Sequence, residues 1–168
     1  MKQMKAKITA DSESASGINY WIVKGKPSQN DFDRFLLPGS TGRWYTRRLP
    51  RLCEPGDRLI FWRGTPALEV VGLGEFVGVV IEHRKEDGKT IFEVKYLTDV
   101  LPNPIGIAQL RQDAVLGSAS FLKSGPAGTV FPLTRQQGTR LYNQVSHQNP
   151  KVRGVWPESA RAGTGSPR

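Results

Sequence analysis

The sequence predicts a mixed α+β domain built on a small, mostly antiparallel β-barrel with short helices at its ends. Three observations carry that expectation. Five or six short runs are rich in β-branched and aromatic residues, as strands require. Glycines recur inside one of them, where a small closing sheet has to bend. The helical patterns that separate the runs are brief and sit at the connections. With 168 residues and 38% apolar content the chain suits one domain. The expected boundaries are a flexible polar leader over 1–17, the folded domain over 18–146 and a mobile basic tail over 147–168.

The first strand is Asn19-Tyr20-Trp21-Ile22-Val23-Lys24, closed by Gly25 and Pro27. Ser28 then opens a short helix, with Asp31 three residues on in an acidic version of the capping box and Phe32, Phe35 and Leu36 on one face. Pro38-Gly39 ends it. Residues 40–54 read as a loop, and Pro55-Gly56-Asp57 as a turn. Arg58 to Arg63 is a second strand, and Ala67 to Ile81 reads as one bent strand or a pair of strands, with bulges or bends at Gly72, Gly74 and Gly78. Lys85-Glu86-Asp87-Gly88-Lys89 forms a hairpin tip with Asp-Gly at its centre. In the return strand, Thr90 to Leu97, Phe92, Val94 and Tyr96 share one face while Glu93 and Lys95 share the other. A short helix follows over Ile107 to Gln112, then a strand over Ser118 to Leu122. Thr134-Arg135-Gln136-Gln137 matches a capping box and opens the last helix, with Leu141, Tyr142 and Val145 along one side. From His147 the period is lost, although Trp156 is a ring large enough to seek a docking surface.

Charge is distributed unevenly. The formal net charge is +9. Residues 24–63 hold nine Lys/Arg against four Asp/Glu, whereas residues 64–122 hold five against eight. A basic first third beside an acidic middle gives the molecule a directed electrostatic face, and a polyanion is the natural partner. Between Arg43 and Arg51 lie four arginines and two aromatic rings with no acid. Rings among fixed cations suit base stacking beside phosphate neutralisation. Trp44 in that cluster has two readings, a binding ring or a packed one; its polar neighbours favour binding. Trp21 and Phe61 divide evenly between core and pocket wall, because alternation fixes opposition but not which face is inside.

Familiar catalytic patterns are missing from the sequence. His83 and His147 lack metal-ligand spacing, and no nucleophile elbow, P-loop or dinucleotide fingerprint occurs. Cys53 is the single cysteine; Arg51 nearby would lower its pKa, but a small buried hydrophobe is the plainer reading. Asp31 and Asp33 fall on different helix faces. The expectation is therefore a non-enzymatic module with no cofactor. Without an apolar stretch behind Lys2, Lys5 and Lys7 and without an 18-residue apolar run, neither a secretory signal nor a membrane partner is expected, and the cytoplasm is the default location.

Five blocks in register resemble an EVE domain over roughly residues 18–146: Tyr20 to Ser28, Arg43-Trp44, Pro55 to Gly64, Val71 to Phe76 and Gly128 to Thr134. EVE domains belong to the PUA-like group and are similar to YTH domains, readers of methylated adenine in RNA. The resemblance implies a closed or nearly closed β-barrel and a pocket for a modified base, methylated or hydroxymethylated cytosine first and N6-methyladenine second. It makes DNA a better expected ligand than RNA, with a separate nuclease or restriction system as a possible partner. It places Lys24, Gly25 and Lys26 at the pocket rim, Trp44 as the aromatic wall, and Trp62 and Arg63 on the same side. Arg43, Arg47, Arg48 and Arg51 would hold flanking phosphates. The further aromatics of a YTH cage have no counterpart between Ile81 and Thr90. Two other functions fit the same sequence: a general RNA-binding PUA-like module, and a small-molecule or nucleotide-handling enzyme that uses the barrel pocket.

Overall fold

The computed structural model describes residues 17–123 and 128–156. The expected leader, up to its last residue, lies outside them. In order along the chain come β1 (Tyr20–Gly25), α1 (Phe32–Phe35), β2 (Thr41–Thr46), β3 (Arg58–Arg63), β4 (Glu69–Ile81), β5 (Thr90–Tyr96), β6 (Ile105–Gly106), α2 (Ile107–Gln112), α3 (Ser120–Lys123), β7 (Val130–Leu133) and α4 (Arg135–Gln148). One-turn 3-10 segments at Leu116–Ser118 and Pro150–Val152 flank the last helices.

The strands form one mixed sheet in the order β2-β5-β4-β3-β1-β7, with β6 pairing off β4. Every pairing is antiparallel except β1 with β3, which run parallel in the register Tyr20↔Arg58 to Gly25↔Arg63. The sheet is open: among the described residues no pairing joins β2 to β7, so the ring of a closed barrel is not completed by hydrogen bonds.

The sheet buries both faces, which explains why β1 and β3 read as continuous apolar runs. Tyr20, Ile22, Ile60 and Trp62 pack with Leu110, Phe121, Leu141 and Trp156 on one face. Trp21, Val23, Leu59 and Phe61 pack with Phe32, Leu36, Trp44 and Tyr96 on the other. Each adjacent aromatic pair is thus split between two cores, and both members are buried. Trp21 and Phe61 are core residues. The Trp21 indole N–H donates to Asp57 at 2.8 Å, and the same carboxylate accepts the Glu54 amide, tying β1 to the turn before β3.

Several local expectations hold. Gly56 has φ of 93° in the turn over Glu54 to Asp57. β4 carries register shifts near Gly78 and beyond it, and Gly88 has φ of 69° at the hairpin tip. The α4 capping box is complete: Thr134 Oγ1 accepts the Gln137 amide, and the Gln137 side chain accepts the Thr134 amide, each at 3.0 Å.

Four expectations change. Residues 41–46 are a strand, not a loop; in β2 Trp44 and Thr46 point inward while Arg43 and Tyr45 point out. The first helix is one turn capped at Asp31, whose side chain makes no capping bond. Ser118 to Leu122 is helical, because Ala119 and Phe121 dock on the α4 side from a 3-10 turn and α3 rather than along a sheet edge. Finally, the fold continues past residue 146. His147 belongs to α4, and Trp156 is buried with its indole N–H on the Gly74 carbonyl at 3.0 Å. That ring meets Tyr20 and Tyr142 at 5.8 and 5.0 Å, and the Arg58 guanidinium lies 5.3 Å from it. The tail beyond Trp156 lies outside the described residues.

Candidate nucleic-acid interface

β1 and β3 are parallel, so their C-terminal ends emerge on the same side of the sheet, and a groove opens there. Its volume is about 1200 Å³. The end of β1, the outer end of β2, the β3–β4 turn, the 84–89 hairpin, α2 and α3 contribute its walls. Among the described residues six cations line it, Lys24, Lys26, Arg43, Arg47, Lys89 and Arg111, and no Asp, Glu, His or Cys does. The arrangement is a polar, positively charged trough over an apolar floor, suited to anions that carry flat apolar groups.

Most of the residues singled out by the sequence meet in this trough. Lys24, Gly25, Lys26, Arg43, Trp44, Arg47 and Trp62 all line it. Three do not. Arg63 turns to Asp33 at 3.3 Å and lies 3.7 Å from Glu69, and its Nε is buried without a hydrogen bond. Arg48 and Arg51 are exposed but outside the lining.

The two indoles differ from the free stacking wall that their neighbours in sequence suggested. Trp44 keeps only 4% of its surface exposed and Trp62 only 3%. Trp44 packs against Phe32 and Phe61 at 5.8 and 5.9 Å, and its Nε1–H donates to the Tyr96 hydroxyl at 3.0 Å. Burial pushes the Tyr96 phenol pKa up, against a smaller lowering by that indole bond. Trp62 belongs to the opposite core and meets Phe121 edge-on at 5.2 Å. The rings therefore floor the trough from two sides of the sheet. Gly25 lets Trp44 reach the floor: a Cβ there would stand 2.7 Å from Phe32 Cζ and 3.0 Å from Trp44 Cη2.

Lys24 ties β1 to α3. Its ammonium donates to the Phe121 carbonyl at 2.8 Å and lies 4.5 Å from the Phe131 ring centroid. Half-burial lowers its pKa, since desolvation disfavours the charged form. At the other end, Arg47 Nη1 donates to the Asp87 carbonyl at 3.1 Å, which fastens the hairpin to β2. That hairpin also supplies Lys89 to the lining. Neither Lys89 nor Arg111 stands out in the sequence as a site residue: both lie far along the chain from the basic cluster, Lys89 in a hairpin of mixed charge and Arg111 alone on a short helix.

Cys53 takes no part in the trough. Burial, with Asp57 and Glu54 adding to it, pushes its thiol well above the usual range, the opposite of the lowering that Arg51 suggested. Among the described residues no group of three or more His, Cys, Asp and Glu could hold a metal ion. Nor is any helix there long and apolar enough to cross a membrane.

Solved structures share this architecture at low identity. A hypothetical protein from Leishmania major superposes with a TM-score of 0.65 at 18% identity, over 80% of this chain and 98% of its own. A Rhodopseudomonas palustris protein solved by NMR gives 0.60 at 19%, over 80% and 95%. An ASCH protein from Zymomonas mobilis gives 0.51 at 15%, over 74% and 94%. No curated protein matches the chain. The EVE domain profile matches residues 19–144, which span the whole sheet, the trough and most of α4; the chain belongs to the EVE domain family.

Proposed function

We propose that this EVE domain is a non-enzymatic PUA-like module that binds nucleic acid and accepts a modified base in the trough. Methylated or hydroxymethylated cytosine in DNA is the preferred ligand, with a separate nuclease as the effector it recruits. The observation that carries the reading is the lining: among the described residues, six cations and no acid above two indoles. Phosphates are held by Arg43, Arg47, Lys26 and Lys89, while the base enters between the strand ends. Extruding a base from its stack costs a few kcal/mol, which apolar contact at the floor and charge neutralisation at the rim offset. In this reading the sheet approaches the closed barrel of the PUA-like group, with the trough at its mouth. The described lining offers no acid–base pair, which favours binding over turnover.

The test is binding of matched oligonucleotides, DNA and RNA, bearing cytosine, 5-methylcytosine, 5-hydroxymethylcytosine or N6-methyladenine. A preference for one modified DNA is expected. Equal affinity for all would reject base reading, and tighter binding to unmodified RNA would favour the general RNA-binding alternative. Arg47→Ala should weaken every ligand alike and reduce the salt slope by about 0.9 per lost phosphate contact. Trp44 is a poor probe as alanine, because so buried an indole is part of the fold; Trp44→Phe keeps the ring and tests selectivity.

A further inference from the structure

The aromatic rings of the trough are not equivalent. Trp44, Trp62 and Phe121 are almost wholly buried, and Phe35, 36% exposed, is stacked on Tyr96 with no cation over its ring among the described residues. Tyr45 is 49% exposed. It points outward from β2 on the same face as Arg43, and along the trough it is followed by Arg47. The Arg84 guanidinium sits 5.1 Å from its ring centroid, and Arg84 is itself clamped by both oxygens of the Asp87 carboxylate. Arg47 fixes the same hairpin through the Asp87 carbonyl. Tyr45 is thus backed by a positioned cation on one side while half of its surface still faces solvent.

An exposed ring held in place by a cation, with further cations to either side, is what a stacked base beside its phosphates requires. A lone base lodged on the Trp44–Trp62 floor has no use for a second platform at the rim. We infer that Tyr45 stacks the base next to the one on the floor. The inference rests on the nucleic-acid reading above and adds to it a second stacking site, for the unpaired or splayed base beside the one that is read.

Binding of two probes to the full chain and its variants separates the possibilities. One is a fluorescein-labelled eight-nucleotide DNA single strand with a central 5-methylcytosine, followed by anisotropy. The other is 5-methyl-deoxycytidine monophosphate, followed by calorimetry. Tyr45→Ala should weaken the octamer roughly 5- to 150-fold, the range of one lost stacking contact, and leave the mononucleotide within about twofold. Tyr45→Phe should keep octamer affinity, since the ring and not the hydroxyl makes the contact. Equal loss for both probes would place Tyr45 in the base site itself and overturn the inference, as would an octamer affinity unchanged by Tyr45→Ala. A wild-type chain that binds neither probe would overturn the 5-methylcytosine reading together with it.

Discussion

Gly25→Ala is the perturbation that links the trough most directly to the fold. The new Cβ would meet Phe32 Cζ at 2.7 Å, Phe32 Cε2 at 2.8 Å and Trp44 Cη2 at 3.0 Å. These are ring atoms of buried side chains, so no flexible end can swing aside. Trp44 is also pinned through its N–H to Tyr96, and Gly25 is held by its own carbonyl, which accepts the Gly64 amide at 2.8 Å. Overpacking of this kind costs about 1–3 kcal/mol. The lower freedom of alanine in the unfolded chain returns about 0.4–1 kcal/mol, because Gly25 has no positive φ to forbid the change. At the middle of each range, the net expectation is a loss of about 1.3 kcal/mol, and a midpoint lower by roughly 3–5 °C for a domain of this size. Differential scanning calorimetry measures it. Combining Gly25→Ala with Phe32→Leu supplies the control: if the clash is the cause, the double variant loses less than the sum of the singles. A melting temperature at or above wild type for Gly25→Ala, or strict additivity in the double variant, would refute the steric account.

Two further outcomes follow from the packing and the charges. Trp156→Ala removes a fully buried ring and strands the Gly74 carbonyl, so urea unfolding should show a loss of about 3–5 kcal/mol; a loss below about 1 would mean that the C-terminal segment does not dock. Asp87 has its carboxyl lowered to about 2, by hydrogen bonding from Arg84 foremost and then from the Lys89 amide. Since the folded value lies below the unfolded one, that contribution is present above the ordinary carboxylate range near pH 4 and is lost as pH falls through about 2. Carboxyl NMR should give a midpoint near 2, and Arg84→Ala should raise it toward the ordinary range while the Lys89 amide still holds it below.

Sequence alone revealed the elements whose pattern had one dominant cause. The hairpin between β4 and β5 followed from Asp87-Gly88 and the alternation of Phe92, Val94 and Tyr96. The start of α4 followed from Thr134 and Gln137, which make both bonds of the capping box. β2 was hidden because its outward residues, Arg43 and Tyr45, carry charge and an exposed ring. The inward ones, Trp44 and Thr46, gave too short an apolar alternation to stand out beside them. β7 was noticed only as a family block, since Pro132 interrupts its four residues. At the site, the cations of the first third were legible as a cluster, but not their division. Arg43 and Arg47 reach the trough, whereas Arg63 is consumed by Asp33 and Glu69. Burial of both indoles was illegible, because Phe32 and Phe61 approach Trp44, and Phe121 approaches Trp62, through tertiary packing alone.

The parallel pairing of β1 with β3 has a consequence for assembly. The β4–β5 hairpin closes over a short local loop, but β1 meets β3 only after residues 26–57 have travelled to the far edge and back. Long-range closure of that kind comes late and slowly. The trough draws on both ends of this excursion and on α2 and α3 further along, so no autonomous fragment contains it. Any molecule that occupies it therefore engages only the finished chain, and its affinity is readable directly as a rise in melting temperature, with no label attached and whatever its chemical class.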